Sequence, residues 1–469
     1  MKRLCLLSLS SLFCLLGMSV GLSAWGAEQP LVQNSTFESL YEMAIKQNPD
    51  IKVLQESLQV SQQDIVIAGY IPNPSLNTYW GWGRMTSVLG NPNQVGLQQT
   101  LELGPKRKLR TLDAQLQYDK EKAGLQQALW QLRSHLRLAY LDYLATVSQV
   151  EQLEKQYSLV NQLIHIAEVR FKAGSSPQAD LIQAQLSQYQ LNPVRIQLQG
   201  QLVQNQWKLA QWVGLTQRDA LHLDGSHSAL LEQVPYWKAS LAQADYVTCL
   251  TKLKQFGRQH RQELKIALQQ VEQSRVRLKA SKLQRIPDPQ VGGGILFVNT
   301  LSPLSDTNQK DTFLGGYATF NVALPIFHNQ GGEIAKSKAR LSVDEGNVEA
   351  LQFAIDSGIQ QAVVGIETQQ KTLENYRKQL LPQSLQVLQL ADLGYRYGKT
   401  GLANVILARQ AYQAIQVDYI KTLGQAWQSW AALEQQTGLP LEVLVNELPW
   451  SQPTQVYQRP NLPTPLEIH

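Results

Sequence analysis

Residues 71–103, IPNPSLNTYWGWGRMTSVLGNPNQVGLQQTLEL, decide how the rest of the chain is read. Pro72 and Pro74 stop any helix arriving from upstream, because proline has no amide hydrogen and the residue before it resists the helical region. From Ser75 to Gly83 the side chains alternate, with Leu76, Thr78, Trp80 and Trp82 on one side and Asn77, Tyr79 and two glycines on the other. Gln94 to Leu103 alternates as well, Val95, Leu97, Leu101 and Leu103 opposing Gln94, Gln98, Thr100 and Glu102. Period-two alternation predicts strands over 75–83 and 94–103, with the Gly-, Asn-, Ser- and Pro-containing stretch 85–93 as their hairpin loop. A strand of about ten residues, when tilted, crosses a hydrocarbon layer.

The same pattern recurs in the second half, and internal repetition fixes the architecture of a long chain. Ile71-Pro72-Asn73-Pro74 returns as Ile286-Pro287-Asp288-Pro289, and Asp50-Ile51-Lys52-Val53 is echoed by Glu263-Leu264-Lys265-Ile266. Arg170-Phe171-Lys172-Ala173-Gly174 aligns with the turn at Arg396, Tyr397 and Gly398, and Gly214-Leu215 with Gly438-Leu439. The second copy offers strands at 290–299, with Val291, Ile295 and Phe297 in register, and at 312–324, with Leu314, Ala318, Phe320, Val322 and Leu324 in register. Trp80, Trp82 and Tyr317 suit an aromatic girdle at a membrane interface, with burial inside a sheet as the alternative. Four strands cannot close a membrane barrel, since the smallest use about eight. Oligomerisation is therefore expected, and three chains would supply twelve strands without an open edge.

Between strands and turns lie the helices. An amphipathic helix is expected at 37–69. From Lys106 to Phe171 there is no proline and one glycine, Gly124. Over its second half, Leu129, Leu136, Tyr143, Val150, Tyr157, Ile164 and Phe171 recur every seven residues, with Leu132, Ala139, Thr146, Leu153, Val160 and Ala167 as companions. A strict heptad seam predicts a left-handed supercoil with a neighbour. At 1.5 Å per residue the helix spans roughly 100 Å. Leu138, Leu141, Leu144, Leu159, Leu163 and Ile166 lie off the seam, which calls for neighbours on more than one side, as in a cylinder of helices. The counterpart at 329–397 is loosened by Gly346, Gly358, Gly365 and Pro382. Glycines 174 and 398 stand where a helix C-terminus wants them, ahead of return helices at 178–212 and 402–436.

The first 26 residues read as an export signal, Lys2 and Arg3 preceding an apolar run that ends in small residues, with cleavage after Gly26 preferred to Ala24. A membrane anchor is the competing reading; lipidation at Cys14 is disfavoured by the bulky Phe13. Loss of this segment removes Cys5 and Cys14, leaving Cys249 with no partner for an intrachain disulfide. It also lowers the formal charge from +5 to +3, too weak a bias to imply nucleic acid. Only 17% of the chain is charged, and no later stretch of 18 apolar residues occurs, so a membrane crossing would have to use strands.

These residues resemble the TolC family of outer-membrane factors over essentially the whole mature chain. The resemblance rests on the duplicated order of helix, Pro-x-Pro, strand pair, long helix, glycine turn and return helix. It rests also on the turn motifs Phe171-Lys172-Ala173-Gly174 to Asp180-Leu181-Ile182-Gln183-Ala184 and Tyr395-Arg396-Tyr397-Gly398 to Asn404-Val405-Ile406-Leu407-Ala408. Leu101-Glu102-Leu103-Gly104-Pro105-Lys106-Arg107 is similar to a stretch of the CzcC-like heavy-metal branch, with Pro105 where a glycine is usual. The resemblance implies a mainly α protein with a membrane β-barrel: a homotrimer whose twelve-stranded barrel in outer-membrane lipid continues into a periplasmic α-helical barrel. It divides the chain into a signal (1–26), a first repeat (27–215), an equatorial linker (216–257), a second repeat (258–439) and an equatorial tail (440–469). Implied partners are a periplasmic adaptor, or membrane fusion protein, and an inner-membrane pump of the RND type; no cofactor is implied.

In the family the periplasmic end is closed by polar links and lined by acidic residues. The candidate tip and gate residues are Gly174, Ser175, Asp180, Asp392, Tyr395, Tyr397, Gly398, Lys399, Thr400 and Asn404. Tyr395 matches the family's linking tyrosine, so Tyr395→Phe is expected to loosen the tip. Thr400 sits where an arginine is often found, and Asn404 and Leu407 occupy positions that in the best-known members hold aspartates. The acidic ring is reduced to Asp180 and Asp392.

No catalytic set survives inspection. His260 and Glu263 have ligand spacing, but two ligands make no metal site. His135 and His165 are isolated, and Gly292-Gly293-Gly294 lacks the following helix of a phosphate cradle. The expected function is a passive exit duct of a tripartite efflux pump for metal, drug or protein cargo. The alternative is a periplasmic adaptor or structural coiled coil, which would not need four alternating strands in two copies of one unit.

Overall fold

The structure is a computed structural model, which describes residues 32–33, 37–80, 91–216, 221–222, 231–235, 243–301 and 310–447. The signal, Trp82, most of the two hairpin loops, much of the linker and the tail beyond residue 447 lie outside these. The first repeat runs β1 (Val32–Gln33), α1 (Phe37–Gln47), α2 (Pro49–Gly69), β2 (Ser75–Tyr79), β3 (Asn91–Thr100), α3 (Lys106–Lys172), α4 (Gln178–Tyr189) and α5 (Leu191–Val213). Next come β4 (Leu221–His222), α6 (Gln243–His260), α7 (Gln262–Leu283), β5 (Gln290–Leu301) and β6 (Lys310–Asn321). The chain then continues through α8 (Gly331–Asn375), a π turn (Tyr376–Leu380), α9 (Leu381–Arg396), α10 (Leu402–Thr437) and α11 (Leu441–Glu447). Among the described residues no helix is long and apolar enough to cross a membrane.

β2, β3, β5 and β6 form one antiparallel sheet in that order. Its strands end earlier than the alternation predicts, at Thr100 rather than 103 and at Asn321 rather than 324, and both of these residues face Gln290. Pro289, just before Gln290, still accepts from the Leu101 amide at 2.8 Å but has no amide to donate, so the ladder goes no further. The Leu103 amide turns instead to the Asp288 carboxylate at 2.9 Å, and Gly104, at φ +73°, bends the chain into α3.

α3 lies between α2, α4 and α5 on one flank and α7 and α10 on the other, while α8 packs on α7 and α10. The companion heptad set is buried throughout, from Leu132 to Ala167. The leading set is buried only at Leu136 and Tyr143, and Phe171 is exposed. The deep contact therefore runs along the companion row.

Three helices expected to be continuous are broken. The helix at 37–69 splits at Asn48, whose side chain accepts from the Asp50 and Ile51 amides while Pro49 opens α2. The return helix at 178–212 splits at Gln190, because Pro193 cannot donate to the preceding turn. The second long helix carries the π turn immediately before Pro382. Buried residues 223 positions apart correspond between the repeats: Leu132 with Ile355, Leu136 with Ile359, Ala139 with Ala362, Tyr143 with Ile366. Beyond the π turn the spacing is 224, as for Gly174 and Gly398. The π turn thus absorbs one extra residue without losing the packing register, the usual role of such a bulge. Between α2 and α7 the spacing is 213, Ile51 matching Leu264 and Ser61 matching Ser274, all buried.

Each return helix ends on a left-handed glycine pressed against the break in its repeat's leading helix pair. Gly214 sits at φ +87°, where a Cβ would lie 2.9 Å from the Gln47 carbonyl, and Gly438 sits at φ +70°, where one would lie 3.1 Å from His260. Asn48 Nδ2 donates to the Trp212 carbonyl at 3.0 Å; in the second repeat Arg261 Nη1 donates to Gln436 Oε1 at 2.8 Å.

Candidate functional site

The sheet has two unlike faces. Pairing places Leu76, Val95, Leu97, Val291, Ile295, Phe297, Leu314 and Phe320 together on one face, with Trp80 continuing it past the end of β2. Leu76, Leu97, Leu314 and Phe320 are each more than half exposed, as is Trp80. The other face carries Ser75, Asn77, Tyr79, Gln94, Gln98, Thr100, Gln290, Thr319 and Asn321. Asn77 donates to Gln98, and Gln98 Nε2 donates to Gln290 Oε1 at 2.7 Å, a ladder of amides across three strands. An isolated sheet in water has no reason to expose the first face; a sheet between lipid and water does.

Trp80 lies on the apolar face, and Tyr317 does not share it. Tyr317 pairs with Gly294, which pairs with Gly96, so its ring lies across β5 with the hydroxyl over Gly96 on the polar side. The alternation already held this, since Tyr317 is out of step with Leu314, Ala318 and Phe320.

At the far end of the long helices the two glycine turns meet. Gly174 (φ +70°) and Gly398 (φ +71°) close α3 and α9. A small core of Leu163, Ala167, Ala184, Tyr395, Leu402 and Val405 joins the hairpins. Tyr395 is 2% exposed, and the Arg170 guanidinium stands 4.6 Å over its ring while donating to its carbonyl oxygen. Burial, reinforced by the Asp180 charge, pushes the phenol above its ordinary pKa, with Arg170 opposing. Asp180 does not accept from the hydroxyl, which has no hydrogen-bond partner among the described residues. The link between hairpins therefore runs through Arg170, to which the sequence reading gave no role, onto the ring and backbone of Tyr395.

Ser175 closes its own turn, Oγ donating to the Arg170 carbonyl at 3.0 Å. Asp392 is engaged locally, 2.9 Å from Arg396 Nε one turn on. Thr400 Oγ1 donates to the Ala391 carbonyl at 3.4 Å, and Lys399 donates its amide to Gly394 at 2.8 Å. Tyr397, Lys399 and Asn404 are exposed. Of the ten tip candidates, Tyr395 and Asp180 are thus brought together across the hairpins.

Two charged clusters tie the middle of the molecule. Arg133 and Arg137 on α3 reach Glu38 and Glu442, each at 2.9 Å, and flank the Glu434 carboxylate, which is 2% exposed. Both guanidinium groups also stack on Phe37. Burial raises the Glu434 carboxyl above its ordinary pKa, with Arg137 and Arg133 pulling it back. Around the linker, Tyr419 donates to Glu232 at 2.8 Å, and Trp427 and Trp430 donate to the Leu231 and Pro235 carbonyls, both at 3.1 Å. These partners are 95 to 305 residues apart and leave no local signal in the sequence.

Residues 40–215 match the family model of the outer membrane efflux protein. No curated relative matches the chain by sequence. Among solved structures, a membrane protein from Pseudomonas aeruginosa superposes with a TM-score of 0.69 at 15% identity, covering 87% of this chain and 94% of that one. The Vibrio cholerae outer membrane protein VceC gives 0.66 at 17% identity, with 86% and 96% covered. The open state of the Neisseria gonorrhoeae MtrE outer membrane channel gives 0.64 at 14% identity, with 86% and 89% covered.

Proposed function

We propose that this chain, whose residues 40–215 match the outer membrane efflux protein family, is a member of that family and the exit duct of an efflux pump, built as a trimer. The observation that carries the reading is the two-faced sheet set directly on helices far longer than a globular core requires. An apolar face of tilted strands belongs in lipid, and the amide-lined face then borders water. One sheet leaves β2 and β6 unpaired at its edges, and three copies remove every edge. Below the sheet, α2 and α4 at one flank and α8 and α9 at the other expose Val53, Val60, Ile182, Leu186, Val343 and Val387, apolar positions a neighbouring copy would cover.

In this account cargo passes unchanged from the tip through the helical tunnel and out through the barrel. The tip, closed by Arg170 and Tyr395, is the element that must part, and a periplasmic adaptor and an inner-membrane pump of the RND type would engage that end. Residues 231–235, α6 and α11 pack on α8 and α10 and would contribute to an equatorial belt, with repeat boundaries near residues 215 and 439. Fractionation tests the reading: an outer-membrane protein whose detergent-extracted mass is three chains supports it, while a soluble periplasmic monomer overturns it in favour of an adaptor.

A further inference from the structure

We infer that the join between copies repeats the join between the two halves of one copy, which fixes the strand register and the ion pairs at the seam. This rests on the trimeric reading above. Within the chain, β3 of the first repeat meets β5 of the second with Gln98 opposite Gly292. Gln98 corresponds to Asn321, since they pair with Ser75 and Gln290, and Ser75 corresponds to Gln290 by the Pro-x-Pro repeat. Carrying Gln98 to Asn321 and Gly292 to Asn77 places Asn321 opposite Asn77 of the next copy.

The rest of the seam follows: Phe320 faces Thr78, Ala318 faces Trp80 and Val322 faces Leu76, all on the apolar side. Asn321, Asn77 and the diagonal neighbour Ser75 lie on the polar side, so the amide ladder continues around the closed ring. A slip of one residue would put Asn321 among the apolar side chains, because register and face are coupled.

The helices beneath obey the same mapping, and their chemistry is complementary without having been used to derive it. Inside the chain Arg277 on α7 binds Asp113 on α3 at 2.9 Å. The packing correspondences of 213 and 223 positions carry Arg277 to Asp64 and Asp113 to Lys336, the same pair with its charges exchanged. Asp64 is exposed, and Lys336 is 79% exposed with Glu333 at 4.0 Å in its own helix. Two turns along α3 and one along α7, Lys120 binds Gln273 at 3.0 Å; their counterparts are Val343 and Val60, 53% and 63% exposed. A polar contact inside the chain thus becomes an apolar one between chains, and both valines gain cover.

The test uses full-length protein in detergent, with paired cysteines at Asn77 and Asn321, or at Thr78 and Phe320, under mild oxidation. One pair lies on each face, so one of the two is a non-hydrogen-bonded pair whichever way the ladder alternates. Within one chain the two positions are separated by the width of the sheet, roughly 14 Å, too far for a disulfide. Native Cys249 is buried and stays silent. Covalent trimers from at least one predicted pair, with little product from Tyr79→Cys with Asn321→Cys, support the register. Stronger linking in the shifted pair overturns it while leaving the trimer intact; a monomer that never links removes the trimer and the register together. Independently, Lys336→Glu should lower the temperature at which the trimer dissociates, and adding Asp64→Lys should restore it; a double variant no better than the single overturns the helical half of the seam.

Discussion

Replacing Arg170 separates the contact this structure shows from the hydroxyl link suggested by sequence. In Arg170→Ala the guanidinium that covers the Tyr395 ring at 4.6 Å and donates to its carbonyl is gone. A partly exposed cation–π contact is worth about 0.5–1 kcal/mol, and a hydrogen bond from a charged donor about 1.5 kcal/mol. Together they hold the hairpins by about 2 kcal/mol per chain, so their loss shifts the balance between closed and parted tips roughly thirtyfold. Tyr395→Phe removes only a buried hydroxyl without a hydrogen-bond partner and should be neutral or slightly stabilising for the closed tip. Single-channel recording in a planar bilayer reads the difference: Arg170→Ala raises conductance or open time, and Tyr395→Phe leaves both unchanged. An increase with Tyr395→Phe and none with Arg170→Ala would refute the reasoning.

Other outcomes follow from single sites. Lys106 Nζ, at 2.7 Å, and the Leu103 amide outweigh burial and hold the Asp288 carboxyl below its ordinary pKa, so its stabilising effect is present above the unfolded carboxylate pKa and is lost as pH falls through the lower folded value. Asp288→Asn should accordingly flatten the acid limb of the melting temperature against pH. Glu434→Ala leaves Arg133 and Arg137 held by Glu38 and Glu442 alone, so it should destabilise by less than the about 3–5 kcal/mol of a fully stranded buried charge, and chemical denaturation should show the loss. Gly214→Ala, forced against the Gln47 backbone at positive φ, should destabilise more than Gly104→Ala, which meets open space and loses only the about 1 kcal/mol of the left-handed conformation. Thermal melts of the two variants side by side decide that comparison.

What the sequence disclosed was periodic or local. Alternation at 75–83 and 312–324 placed the apolar face, heptads from Leu132 to Ala167 placed the buried row, and the glycines at 174 and 398 placed the turns. The breaks were also written locally, in Asn48-Pro49, Pro193 and Pro382, but a strong surrounding periodicity masked them. The girdle assignment of Tyr317 failed because residue type was weighed above phase. Arg170, and the cluster of Arg133, Arg137, Glu434 and Glu442, could not be found from sequence, since their partners meet only after the two repeats have folded together. Substrate choice was illegible for a physical reason: a passive duct needs no specific pocket, and the pump selects the cargo.

The central claim is that copies of this chain close into a water-filled duct through the outer membrane. Conductance of the detergent-purified protein in a planar bilayer, recorded with its mass in the same detergent, tests it most directly. The account predicts discrete channel steps from a particle of three chains; a monomer, or a trimer that inserts and never conducts, would contradict it.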